Sequence, residues 1–143
     1  MDISIQEHAD KLAVVIQCER TDKYVLRLKD HIELFDNRLT VQHDGETVYI
    51  KAANVLYFES VNDRTFLYTD GNVMEIRLRL YELEDALSAY GLLRISKSVV
   101  VNMYKISSLR PELNRTLLAT MCNGERLVIS RSYVKKLRSV LQV

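Results

Sequence analysis

The chain is poor in cysteine, in histidine and in long apolar runs, and each shortage excludes a class of protein. Its two cysteines, Cys18 and Cys122, belong to no Cys-x-x-Cys or Cys/His grouping. Neither a disulfide framework nor a zinc site is indicated, and both thiols are expected reduced, in or near the core. No stretch of eighteen apolar residues and no signal peptide occurs, so the sequence reads as soluble, intracellular and cytoplasmic. The three histidines, His8, His31 and His43, all fall in the first third. With no GxSxG, Walker loop, GxGxxG or HExxH, a catalytic reading has little to stand on, and neither a cofactor nor a metal is expected. Glu82, Glu84 and Asp85 are grouped, but on a helix whose outer face must be charged in any case. Cys122 has no histidine near it in sequence and makes a poor nucleophile. Glycine is also rare, with four residues, and three of these follow Asp or Asn in "HDG", "TDG" and "CNG", where tight hairpins need positive φ angles.

What is present is ordinary globular composition, 48% hydrophobic and 27% charged over 143 residues. That length fits one domain able to close a core without staples. The net charge of +1 hides a division at Leu93. Residues 1–93 hold ten Lys/Arg and seventeen Asp/Glu, a net −7, whereas residues 94–143 hold ten Lys/Arg and two Asp/Glu, a net +8. A basic last third points to a polyanion, because Lys and Arg that neutralise phosphates release condensed counterions. The other reading is that the two parts neutralise each other across the fold or across a dimer.

Along the chain, "LAVVIQC" at 12–18 predicts a strand. "KYVLRLKDHIELF" follows, with Tyr24, Leu28, Ile32 and Phe35 at helical spacing, and Thr21 or Asp22 is available as the cap. From Leu39 the period becomes two. Strands are predicted at 39–43, 46–50, 54–60, 64–69, 72–78, 99–101, 115–122 and 126–130. Leu80, Leu83, Leu87 and Tyr90 share a helical face that ends at Gly91, and "SYVKKLRSVLQV" predicts a short final helix with Val134 and Leu137 inward. The expected fold is mainly β with a few short helices, organised as a strand-plus-helix extension over 1–44 and a β domain over 45–143.

Three clusters in the β part combine cations with hydrogen-bonding side chains: "SVNDRT" at 60–65, with Arg64 and Thr65; Arg94, Lys97, Ser98 and Asn102 around "VVV"; and "SRSYVKK" at 130–136, with Arg131, Ser132, Lys135 and Lys136. Arg and Lys pair with phosphate or guanine, Asn is bidentate to adenine, and Ser bonds phosphate, so these are residue types that DNA contact requires.

The ordered series "VYIKAANVLYFES", "TFLYTDG", "LRLYELEDAL", "LLRISKSVVVNMYKISSLRPELN" and "NGERLVISRSYVKKL" resembles the LytTR-type DNA-binding domain over about residues 45–140. The resemblance implies a non-enzymatic transcription regulator built of β-strands. Its loops would enter successive major grooves of double-stranded DNA, often at repeated promoter elements. About 44 residues precede the match, too few for the receiver domain many members carry. The likeness is to stand-alone regulators, some of them encoded beside a small membrane protein that restrains them. A membrane or cytoplasmic regulatory partner bound by the same fold is the competing function. The front helix is open to two readings, a dimerisation element or packing on the domain's own core.

Carried over by position, Asn102 matches the asparagine closing the family's "VN", and Lys97 with Ser98 matches its Arg-Ser entrance. Lysine at 97 favours a phosphate contact over bidentate guanine reading. Arg131 and Ser132 match a pair whose second position is commonly basic; serine there shifts the expected contact to Arg131 or the following lysines. In the first loop the contact falls at Arg64 or Thr65. The expected division is phosphates for Lys97, Lys135 and Lys136, and base edges for Asn102, Arg131 and the 64–65 loop.

Overall fold

The computed structural model describes residues 1–7 and 10–141. Regular structure begins with helix α1, Lys23–Asp36, started by Asp22, whose Oδ1 accepts from the Val25 amide at 3.0 Å. A hairpin follows, β1 (Arg38–His43) and β2 (Glu46–Lys51), turning on Asp44 and Gly45, both at positive φ. Strands β3 (Tyr57–Val61), β4 (Arg64–Thr69) and β5 (Asn72–Ile76) form a meander, and helix α2 spans Leu80–Leu87. Strands β6 (Leu92–Arg94) and β7 (Val99–Asn102) complete an antiparallel five-stranded sheet in the order β5-β4-β3-β7-β6. A second sheet, β10-β9-β8, contains β8 (Ile106–Pro111), β9 (Leu117–Met121) and β10 (Arg126–Ile129), and helix α3, Arg131–Leu141, closes the described chain.

The five-stranded sheet is covered on both sides. One core joins Phe58, Leu67 and Val100 to Leu80, Leu83 and Leu87 of α2 and to Val41 and Ile50 of the β1–β2 hairpin. The other joins Tyr57, Val99 and Val101 to Leu117, Ala119, Met121 and Ile129 of the second sheet and to Leu137 of α3. Strand β7 lies inside the sheet, between β3 and β6, and is buried on both faces, which explains three consecutive valines where a one-sided strand would alternate. Val100 faces the α2 side, Val99 and Val101 the other.

A polar joint ties the sheets together. Tyr57 stacks on Tyr68 at 4.3 Å, its hydroxyl donates to Glu125 Oε2 in the β9–β10 turn at 2.7 Å, and the Tyr68 hydroxyl donates to Glu59. Burial first, and the Glu125 carboxylate second, push the Tyr57 phenol well above the ordinary tyrosine range. The joint holds the sheet that leads into α3 at a set position on the sheet that carries the other loops.

Several expectations are corrected. The strand predicted at 12–18 does not form: Leu12 is 95% exposed and Val15 79%. An apolar run becomes a strand only when another strand takes its backbone hydrogen bonds. Cys18 and Cys122 are both exposed rather than near the core. Strands β6 and β8 escape the sequence pattern. The first is three residues long; the second is an edge strand with a register shift between Ile106 and Ser108, ending on Pro111, which an edge tolerates. Gly91 sits at φ +92, as a helix-ending residue should, and a Cβ there would come within 2.8 Å of the Tyr104 ring.

Candidate nucleic-acid interface

Two backbone hydrogen bonds gather the three cationic clusters at one edge. The Ser60 amide donates to the Ser98 carbonyl at 2.8 Å, setting the β3–β4 turn beside the 95–98 loop. The Ser130 amide donates to the Ile95 carbonyl at 2.8 Å, setting the start of α3 against the other side of that loop. Segments separated by more than thirty residues thus form one continuous rim, with the 95–98 loop in the middle.

The first element of the rim is a two-residue turn, since Val61 pairs with Arg64, and Asn62 and Asp63 both adopt positive φ. Asn and Asp tolerate this conformation better than other non-glycine residues. Arg64 leaves the turn exposed. Thr65, one residue on, is buried and points into the domain, so of the two first-loop candidates only Arg64 is accessible. The Arg64 fork is already engaged: Nε and Nη2 donate to the two Glu75 carboxylate oxygens at 3.0 and 2.5 Å. Their hydrogen bond is the largest cause holding the Glu75 carboxyl below the usual carboxylate range and Arg64 above its own. Glu75 is a partner of Arg64 that sequence reading missed. The "TDG" turn contained the signal, because it pairs Phe66 with Glu75 and leaves Arg64 on the diagonal.

In the middle element Arg94 is a brace. Its Nε donates to the Ser96 carbonyl and its Nη2 to the Lys97 carbonyl, both at 2.9 Å. The Ser98 amide donates to Ser96 Oγ at 3.2 Å, closing the loop from within. These bonds leave Lys97 exposed at the tip and Ser98 half-buried beside it.

Asn102 departs from expectation. It is wholly buried; its Nδ2 donates to the Val55 carbonyl at 2.9 Å, and its Oδ1 accepts from the Tyr104 amide at 3.1 Å. Both ends of the amide hold the chain after β7, so Asn102 has nothing to offer a base edge without opening the core. Asn102 and Thr65, both expected among the DNA contacts, are thus buried in the free protein.

The third element is α3. Arg131, Ser132, Lys135 and Lys136 are exposed while Leu137 is buried against the second sheet. Arg131 and Lys135 lie four apart on one face, and Ser132 and Lys136 four apart on the next. The helix N-terminus, at the rim, adds a partial positive charge there. Arg138, a turn further on, instead lines a cleft of about 420 Å³ with Met103, Ile106 and Leu141. Among the described residues no cluster of His, Cys, Asp and Glu could hold a metal ion, and no helix is long and apolar enough to cross a membrane.

Beside the β1–β2 hairpin, the two larger sheets bring three exposed cationic segments to one rim, a surface suited to a polyanion. Residues 45–142 match the LytTr DNA-binding domain, and the chain belongs to that family. The match begins within the β1–β2 hairpin. An uncharacterised HTH-type transcriptional regulator of Staphylococcus aureus is 29% identical, over 93% of this chain and 99% of its own length. The sensory transduction protein LytT of Enterococcus faecalis is 30% identical over 67% of this chain but only 40% of its own. Among solved structures, a LytTr DNA-binding domain from Bacillus cereus superposes with a TM-score of 0.69 and 25% identity, over 74% of this chain and 97% of that one. Although the Staphylococcus protein is named for a helix-turn-helix, the helices described here are separated by strands.

Proposed function

We propose that this chain is a cytoplasmic, sequence-specific DNA-binding transcription regulator without enzymatic activity. Its rim would enter successive major grooves at repeated promoter elements. The observation that carries the reading is the convergence of the β3–β4 turn, the 95–98 loop and the start of α3 through the Ser60–Ser98 and Ile95–Ser130 backbone bonds. Lys97, Lys135 and Lys136 are compact point charges suited to phosphates, and they fix register. Arg131 and Arg64 have forks suited to base edges, and Arg64 reaches one only by exchanging Glu75 for guanine. Ser98 and Ser132 supply hydroxyls to the same backbone path.

The test is binding of a labelled promoter fragment followed by anisotropy across a salt series. Lys136→Ala should weaken every sequence alike and flatten the slope of log K against log salt by about 0.9, the value for one phosphate. Arg131→Ala should cost about 1–3 kcal/mol at the selected site and less on scrambled DNA. An unchanged slope for the lysine variant, together with equal losses on both DNAs for the arginine variant, would remove the rim as the binding surface.

A further inference from the structure

Helix α1 carries its charges against its own dipole. Its first half, residues 23–29, holds Lys23, Arg27 and Lys29 and no acid, and its second half, residues 30–36, holds Asp30, Glu33 and Asp36 and no Lys or Arg. The first turn has no acidic residue and the last no basic one, the reverse of what stabilises an isolated helix. Within the chain the Asp22 cap and the Lys29–Glu33 ion pair, at 2.7 Å, offset part of this arrangement, and a partner can offset more. An antiparallel helix of the same sequence does so, because it sets the basic half of each against the acidic half of the other.

The apolar pattern gives the same register. Tyr24, Leu28, His31 and Phe35 follow the spacing i, i+4, i+7, i+11 and form one row along α1. Tyr24 is 64% and Phe35 60% exposed, His31 is exposed, and Leu28 is half-buried. Beside this row lies an open cleft of about 530 Å³, lined by Tyr24, Arg27, Leu28, His31 and Tyr104. Its floor is firm, since His31 packs edge-on against Tyr104 at 4.3 Å and the Tyr104 hydroxyl donates to the Arg27 carbonyl. A two-fold axis between residues 29 and 30 sets Tyr24 opposite the partner's Phe35, Leu28 opposite the partner's His31 and Lys23 opposite the partner's Asp36. One axis satisfies the aromatic row and the charge halves together.

We infer that α1 is a homodimerisation surface that pairs antiparallel with α1 of a second copy, the partner's Phe35 seating at the Tyr24–His31–Tyr104 cleft. A fourteen-residue helix is a small interface by itself. The exposed Leu12, Val14 and Val15 just before it enlarge the apolar area available to the same partner.

The experiment is sedimentation velocity on the full chain from about 1 to about 500 µM, a range that spans weak and moderate association. Wild type should pass from monomer to dimer. The double variants K23E/R27E and E33K/D36K should each self-associate about tenfold or more weakly, while an equimolar mixture recovers a dimer, because opposite halves then meet opposite charge. Phe35→Glu leaves the rest of the charge pattern in place and should be monomeric with the helix content of wild type by circular dichroism. A wild type that stays monomeric throughout, a mixture of folded variants that does not recover a dimer, or a Phe35→Glu variant that dimerises normally would each overturn the inference. DNA-binding plays no part in these readouts, so failure here leaves the rim reading intact.

Discussion

Lys97 and Asn102 stand on either side of one buried valine strand, and their surroundings differ in almost every respect. At the entrance, Arg94 and Ser96 hold the loop by its backbone and leave the lysine side chain in solvent. At the exit, the asparagine side chain itself is the holding device, sealed between the Val55 carbonyl and the Tyr104 amide. The lesson is that a polar residue beside a core strand belongs to function or to the fold according to which of its groups is already bonded. An amide is well suited to bridging a buried donor and a buried acceptor; an ammonium on a long stem stays in water.

The largest effect that would sharpen this contrast comes from Asn102→Ala. It leaves a backbone carbonyl and a backbone amide unmatched in the core and should lower unfolding stability by about 2–3 kcal/mol in urea denaturation. DNA affinity per folded molecule should be unchanged; a specific loss of cognate binding at full stability would return Asn102 to the contact set. Next in size, Arg94→Ala should cost about 1 kcal/mol through its two lost carbonyl partners. It should also raise hydrogen exchange in residues 95–98 while leaving α2 protected. Lys97→Ala should be the mirror image of Asn102→Ala. Its denaturation midpoint should move by no more than about 0.5 kcal/mol, and its salt dependence should flatten by about 0.9, whereas an altered midpoint with an unaltered slope would make Lys97 structural.

The smallest effect belongs to the neighbouring turn. The Arg64 hydrogen bond depresses the Glu75 carboxyl, so the stability that this group contributes is present above the pH where an unfolded glutamate titrates. It is lost as pH falls through the lower folded value. The pair is exposed, so the effect on global stability should be slight, and the direct readout is the carboxyl's own titration by NMR. In Arg64→Ala that titration should move back up to the ordinary glutamate range; no movement would mean the fork is not the cause.

Much of the fold was legible because it is locally encoded. Asp44-Gly45, Asp70-Gly71 and Asn123-Gly124 mark hairpins whatever surrounds them, and Leu80, Leu83 and Leu87 declare a helix face by spacing alone. Strand β8 was not legible, since "ISSLRP" lacks alternation and an edge position forgives what a central strand would not. The strand expected at 12–18 failed for the opposite reason: its composition suits a strand, but no described strand pairs with it.

The candidate site divides in the same way. The sequence alone determined which side chains carry cations, that they come in three clusters, and that these sit at turns and helix starts. Tertiary structure decided that the clusters share a rim, that Thr65 and Asn102 face inward, and that Glu75 holds the Arg64 fork. Each of these depends on a pairing between distant segments, Ser60 with Ser98, Ile95 with Ser130, Phe66 with Glu75. Composition and periodicity report only the tendencies of a residue and its near neighbours, whereas burial and hydrogen-bond partners are set by which strands meet and in what register.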